Sequence, residues 1–293
     1  MRIDFTGSQL SNVIYGGSEK KTGIIFANQK WMLKYRKKTI YGDAFNDVSE
    51  YLGSKIFALL GFQTQEVLLG TYNGQYVVAC KDFISNNQFT PFNDVGESSL
   101  DDDESKYSYS YIDICKLINK NKKIDDKKTM ISLFWETYIV DALIANEDRH
   151  GKNWGFLKKD NKYYPSPIFD NGNSLFAMFS DEEEMEYVLS SKEELEERVY
   201  ETPRSIIKND KGLNDYYTVI SSKQYEECNS AILKIVPLIN LDTINSLIDS
   251  VDISDTRKRF LKTIIKMRYD LMLLKTYKEL VNETNWNKSI HCY

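Results

Sequence analysis

The residue types best suited to chemistry fall in two short stretches. The first is Asn146-Glu147-Asp148-Arg149-His150-Gly151-Lys152-Asn153 and the second is Phe169-Asp170-Asn171-Gly172, with Asp170 seventeen residues beyond Asn153. An aspartate, an asparagine five residues later and a second aspartate beyond a short hairpin suit phosphoryl transfer. In that chemistry one carboxylate orients the acceptor hydroxyl, while an amide and another carboxylate hold Mg²⁺ on nucleotide phosphates. Asp148 is then the candidate catalytic residue, and Asn153 and Asp170 are the candidate metal ligands. The same residues also have plain structural readings. Asn146 and Asp148 can cap a helix end, and Asn171-Gly172 is an ordinary turn pair.

These side chains need rigid elements to aim them. Apolar residues Ile131, Phe134, Trp135, Tyr138, Ile139, Ala142 and Leu143 predict a helix over 129–146 that delivers the chain to Asp148. Beyond Asn153, Trp154-Gly155-Phe156-Leu157 and Tyr163-Tyr164 predict a hairpin, and Pro165 and Pro167 lead the chain back so that Asp170 returns to the same cleft. Upstream, Ile24 to Phe26 and Lys30 to Tyr35 predict strands around a turn at Asn28, and Gln65 to Tyr72 and Gln75 to Ala79 predict a hairpin through Asn73-Gly74. The sheet so assembled has about five strands and one helix, predicted over 46–60 with Gly61 as its C-terminal cap.

Lys34 interrupts an apolar strand, and a buried ammonium without a partner is costly. A nucleotide phosphate and Glu50, about one turn into the helix, are the candidate partners; the bland reading of each is a surface charge. The loop Gly16-Gly17-Ser18-Glu19-Lys20-Lys21-Thr22-Gly23 precedes a strand and not a helix, so it is neither a Walker A motif nor a dinucleotide fingerprint. One strand before Lys34, its N–H groups can cover phosphates, and Ser18 and Thr22 are candidate phosphate acceptors. Residues 93–110, with Asp101-Asp102-Asp103-Glu104, read as an exposed acidic connector. The division expected is an N-terminal lobe over 1–84 and a helical lobe over 85–293. Further helices are predicted over 181–200, 222–236, 238–251 and 255–282, with breaks at Pro203 and Pro237.

A chain of 293 residues, 42% hydrophobic and 13% aromatic, can fill one large core or two lobes sharing a cleft. Its net charge of −5 gives no global attraction to nucleic acid or anionic lipid, so direct nucleic-acid binding is not expected. Cys80, Cys115, Cys228 and Cys292 lie far apart without a C-x-x-C pair, which suggests neither a disulfide framework nor a zinc site. A cytoplasmic setting fits, with export by a signal-less route left open. No run of eighteen apolar residues predicts a membrane span.

The stretches around Asp148 and Asp170 resemble the N-x-D-R-H-x-x-N and D-N-G signatures of HipA-type serine/threonine kinases. The likeness extends over about residues 2–280. Glu66-Val67-Leu68-Leu69-Gly70-Thr71-Tyr72, Val77-Val78-Ala79-Cys80-Lys81-Asp82-Phe83 and Asn153-Trp154-Gly155-Phe156-Leu157 look like the shorter, CtkA-type branch of that family. The resemblance implies an α+β, two-lobed protein-kinase-like fold: a small antiparallel sheet with one main helix, and a mostly helical second lobe carrying a catalytic loop (146–154) and a metal motif (169–172). It implies ATP and Mg²⁺ as cofactors, a protein serine or threonine as acceptor, and autophosphorylation. By position it implies that Asp148 is catalytic, Asn153 and Asp170 bind metal, Lys34 holds phosphate and His150 lies near the nucleotide. Gly16, Gly17 and Ser18 would cover the phosphates, and main-chain groups of Lys81, Asp82 and Phe83 would form the adenine hinge. About fifteen residues precede the glycine-rich loop, where full-length HipA toxins carry an extra subdomain, so a minimal kinase core is expected.

Two biological roles follow from the resemblance, a toxin restrained by an antitoxin-like partner or an effector acting on host proteins. Two other readings stand beside it. A small-molecule or lipid kinase uses similar motifs and would show a closed acceptor cavity, which Asp181-Glu182-Glu183-Glu184 could line; the plain reading of that run is a first helical turn. The other is a catalytically dead nucleotide-binding module, disfavoured because no member of the catalytic set is missing.

Overall fold

The lysine strand lies near the centre of a six-stranded sheet ordered Ile3–Asp4, Val67–Tyr72, Gln75–Lys81, Gln29–Tyr35, Lys21–Phe26, Gln9–Leu10. The computed structural model describes residues 2–13, 15–16, 20–84, 88–97, 110–209, 212 and 214–290. Two tight turns set the register. Ala27 and Asn28 (φ 49° and 58°) and Asn73 and Gly74 (φ 49° and 74°) are paired left-handed residues, the backbone whose twist matches two-residue hairpins. Five neighbouring strands are antiparallel, as expected, but the sixth, Ile3–Asp4, runs parallel to Val67–Tyr72 at the edge. It fits there because of Gly70. A Cβ on that residue would sit 2.3 Å from the Phe5 ring and 2.4 Å from the Ile3 carbonyl.

Period-two alternation gives the sheet two faces. Trp31 and Leu33 join Phe5, Ile24, Val77 and Ala79 in one cluster, whereas Met32 joins Val67, Val78 and Cys80 in another against Tyr51 of the helix Asn46–Leu59. Lys34, paired in register with Val78, shares the helix-facing side. The helix ends at Leu59, and Gly61 (φ 87°) follows in the left-handed conformation that stops helices cheaply. Val48, Leu52 and Ile56 are fully buried.

The second layer is built on the helix Lys127–Leu143, capped by Asp126, whose carboxylate accepts from the Thr129 amide. It carries Phe134, Trp135 and Tyr138 into an aromatic nest with Tyr111. The expected hairpin is Gly155–Lys159 with Lys162–Pro165, and Gln88–Pro91 adds a third strand, pairing Pro91 with Gly155 and Gln88 with Lys158. The chain is therefore already part of the second layer by Gln88, and Phe92–Glu97 is a helix; most of the expected acidic connector, 98–109, lies outside the described residues.

The single helix expected over 181–200 is two, Glu182–Ser190 and Lys192–Tyr200, because the Ser191 hydroxyl accepts from the Glu194 amide and starts a new helix. That expected over 255–282 runs as Asp255–Arg268, a π-helical turn at Tyr269–Leu274, and Lys275–Ile290. Tyr111–Lys120 and Tyr216–Ser221 are helices that the sequence pattern did not single out. Among the described residues no single helix is long and apolar enough to cross a membrane.

Gly53 joins the two layers. A Cβ there would lie 2.7 Å from Cβ of Asn171. Gly53→Val removes a helix-weakening glycine for a gain of a few tenths of a kcal/mol, against an overpacking cost of about 1–3 kcal/mol. We expect a lower melting temperature for Gly53→Val; an unchanged or raised one in thermal unfolding would show that the layers can separate there without penalty.

Candidate active site

Lys34 is buried, and its ammonium lies 2.7 Å from Oε2 of Glu50 and 2.6 Å from Oδ1 of Asp170. Burial alone would strip its charge, but the Asp170 and Glu50 carboxylates hold it well above the ordinary lysine range. Asp170 shows the counterpart. Burial pushes its carboxyl up, yet Lys34 and then Arg149 outweigh that and hold it below the ordinary aspartate range. Glu50 also reaches the metal motif. Its Oε1 accepts from the Asn171 amide at 2.9 Å, so one carboxylate ties the lysine strand to that motif. Asp170 has φ 59°, a left-handed backbone uncommon for a residue with a side chain.

Asp148 and Asn153 lie on irregular chain and owe their placement to Arg149. That side chain is buried, and Nε and Nη2 donate to the two oxygens of Asp141 at 2.9 Å each. Nη1 donates to the carbonyls of Asn153 (3.2 Å) and Phe169 (2.5 Å), and Nη2 also to Oδ1 of Asn171 (2.6 Å). The Asn146 amide adds a bond to Oδ1 of Asp141 at 2.8 Å. The loop then folds on itself: the amide of His150 and Nδ2 of Asn153 both donate to the Asp148 carbonyl at 2.8 Å. This occupies the nitrogen end of the Asn153 amide and leaves Oδ1 as the end able to meet a cation.

Oδ2 of Asp148 accepts from Nδ2 of Asn173 at 2.7 Å, and Oδ1 is 3.6 Å from Nε2 of His150. His150 is partly exposed, and its Nδ1 accepts from the Lys152 amide at 3.2 Å. Past the motif, Phe176 and Phe179 give their carbonyls to the guanidinium of buried Arg257, at 3.0 and 2.6 Å, which holds this segment on the helical layer.

Other expected residues are placed with less detail. The Gly16 carbonyl accepts from Nζ of Lys21 at 2.6 Å, whereas Gly17 and Ser18 lie outside the described residues. The Thr22 hydroxyl sits on a strand, 2.8 Å from the Tyr35 hydroxyl. At the expected hinge, the main-chain groups of Lys81 are already used: its amide donates to the Glu66 carbonyl and its carbonyl accepts from Gln65 Nε2, both at 2.9 Å. Its ammonium turns away to Glu66, also at 2.9 Å. The Asp82 amide bonds the Lys30 carbonyl. Among the described residues this leaves the Asp82 carbonyl and the Phe83 main-chain groups without internal partners. The Phe83 ring packs with Phe89 and Phe169, centroids 5.4–5.8 Å apart, and so links hinge to metal motif.

Sequence reasoning gave no role to Asp141, Arg149, Asn171 or Asn173. Arg149 and Asn171 stood inside the motifs, and their polarity next to catalytic candidates was a usable signal. Asp141 carried one too, as an acid among apolar neighbours on a buried helix.

Two outcomes test the geometry. Arg149→Ala leaves Asp141 charged and buried, so denaturant unfolding should show a loss of about 3–5 kcal/mol, part of which the double replacement Asp141→Leu with Arg149→Met recovers. An additive or larger loss in the double variant would show that the pair is not the source. The Asp170 carboxyl has a lowered pKa in the fold, so its contribution is complete above its ordinary value near 3.8 and fades as pH falls through the lower folded value. Wild type and Asp170→Asn should accordingly differ in melting temperature by a constant amount from pH 5 to 8 and converge only in stronger acid; convergence near neutrality would contradict the pairing with Lys34.

Known proteins resemble this chain in sequence and fold. The profile described as HipA-like C-terminal domain matches residues 13–232. The serine/threonine-protein kinase CtkA of Helicobacter pylori is 31% identical over 301 residues, covering 99% of this chain and 92% of that protein. The crystal structure of an H. pylori proinflammatory kinase CtkA superposes with a TM-score of 0.89, covering 96% of this chain and 99% of that one at 31% identity. HipA from a Shewanella oneidensis MR-1 toxin–antitoxin complex with HipB and operator DNA shares the fold, with a TM-score of 0.62 at 13% identity, over 94% of this chain and 67% of that one. With the family profile over most of its length and a relative alike from end to end, this chain belongs to the HipA-like family.

Proposed function

We propose that the chain is an ATP- and Mg²⁺-dependent serine/threonine protein kinase that also phosphorylates itself, with Asp148 catalytic. The observation that carries the reading is the Lys34 ammonium held between Glu50 and Asp170 at 2.7 and 2.6 Å. It is a fixed positive charge in a site where phosphate oxygens can replace part of the carboxylate pairing. Lys34 would hold the phosphates, and the Phe83 main chain would meet the adenine. Asp148, fixed by Asn173, would accept a hydrogen bond from the acceptor hydroxyl and orient it for in-line attack.

The donor set fits magnesium. Asn153 Oδ1 and the second oxygen of Asp170 are oxygen donors without an internal partner among the described residues. No group of three or more histidine, cysteine or acidic side chains there could hold a metal ion alone. Mg²⁺ favours such sparse protein ligation, completed by phosphate and water. When bound it would neutralise charge on the transferring phosphate.

The small-molecule alternative loses its supporting feature. Asp181 caps the helix Glu182–Ser190, accepting from the Glu183 and Glu184 amides, and the acidic run forms that helix's first turn. None of its residues lines the groove beside Asp148. That favours a protein acceptor over a closed acidic pocket.

The test is transfer from γ-labelled ATP with Mg²⁺, to the chain itself and to cell extract, followed by mass spectrometry. Asp148→Asn and Asp170→Asn should each fall by roughly 10²-fold or more, as removal of preorganised electrostatic groups does elsewhere. Transfer at the wild-type rate by either variant would overturn the assignment, and ATP binding without transfer by the wild type would favour the inactive module.

A further inference from the structure

A groove of about 430 Å³ opens beside the catalytic candidate, with Asp148, Asn173, Glu147, Arg204 and Ile206 among its lining residues. Its size is that of a cleft for a few extended residues and not a whole domain. Two of these residues carry opposite charges, and they are not paired with each other. Glu147 is exposed on the groove wall and has no hydrogen-bond or ion-pair partner among the described residues; partial desolvation and the neighbouring Asp148 push its carboxyl above the ordinary range. It lacks a cation. Arg204 is exposed, and its Nε donates to the Glu201 carbonyl at 3.2 Å. Its terminal nitrogens have no partner among the described residues.

The segment that presents Arg204 is itself fixed. Buried Ser205 donates its amide to the Asn214 carbonyl at 2.8 Å, and its carbonyl accepts from Nδ2 of Asn214 at 2.7 Å. The Ser205 hydroxyl accepts from the Ile207 amide at 3.0 Å. Clamped in this way, Ser205 leaves its neighbours Arg204 and Ile206 pointing outward, with Ile206 37% exposed.

We propose that this groove binds the polypeptide around the acceptor hydroxyl and selects a segment carrying both a basic residue, paired to Glu147, and an acidic residue, paired to Arg204. Ile206 supplies apolar contact between them. The inference rests on the kinase reading of Asp148. A bidentate guanidinium–carboxylate pair has the stronger geometry, while Glu147 gains most from a cation because it sits beside a second carboxylate. Both residues line the groove beside Asp148, on the side where the acceptor would enter.

The experiment measures kcat/KM for four serine peptides of equal length, whose flanks carry Lys and Glu together, Lys alone, Glu alone, or only Ala. Wild type is compared with Glu147→Gln and Arg204→Glu. Each pair is expected to contribute about 1.5- to fivefold, the range of exposed ion pairs, so the peptide with both charges ranks first for the wild type. Glu147→Gln should lose the advantage of Lys and keep that of Glu, whereas Arg204→Glu should turn the advantage of Glu into a penalty. An unchanged ranking in both variants, or a wild type that prefers the Ala flanks, overturns the proposal. Autophosphorylation separates the two levels. If it persists while no peptide is used, the groove assignment fails; if it is absent along with all peptide transfer, the kinase reading fails.

Discussion

The buried ion pair between Asp141 and Arg149 is the interaction on which the site depends. Burying two charges is unfavourable unless geometry and further hydrogen bonds offset it. Arg149 meets that condition, with both Asp141 oxygens, the Asn153 and Phe169 carbonyls and the Asn171 side chain all within hydrogen-bonding distance. Those partners come from three separate pieces of chain: a helix, the catalytic loop and the metal motif. A planar, permanently charged fork is the one side chain that can serve all three at once. Asp148 and Asn153 stand on irregular backbone whose own hydrogen bonds shape the loop, and this fork ties that loop to the helix and to the 169–171 segment.

Glu50 does for the two layers what Arg149 does for the loops. Its two oxygens face different partners, Lys34 from the sheet and the Asn171 amide from the metal motif. The helix can come so close because Gly53 has no side chain at the contact. Asp170 adopts a left-handed backbone that lets its carboxylate reach Lys34. Such conformations persist where surrounding contacts over-determine them, and the bonds to Phe169 and Asn171 on either side do so here.

The surroundings of Lys34 and those of Asp148 are built differently. Around Lys34, Glu50 and Asp170 each charge has an internal partner, so the site is preorganised before any ligand arrives. Beside Asp148 the arrangement is looser: Asn173 fixes one carboxylate oxygen, and Glu147 and Arg204 line the groove without pairing to each other.

The sequence by itself determined the chemistry and the order of parts. Lys34, Glu50 and Asp170 were singled out by residue type and spacing, and the structure brings these three into contact. The hairpins at Asn28 and Asn73-Gly74 were legible because local backbone preferences fix them. The added strand Gln88–Pro91 was not, since its partner Gly155–Lys159 meets it only once the chain has folded, whereas the split at Ser191 had a local signal in Ser191 and Glu194 that the periodicity of the flanking residues masked. Only the tertiary structure decided that Asp141, Arg149, Asn171 and Asn173 hold these segments together, and that the Lys81 ammonium turns to Glu66. Those roles rest on contacts across 4 to 25 residues for Arg149 and Asn173 and 121 for Glu50. A hydrogen bond is set by distance in space, which spacing along the chain does not encode.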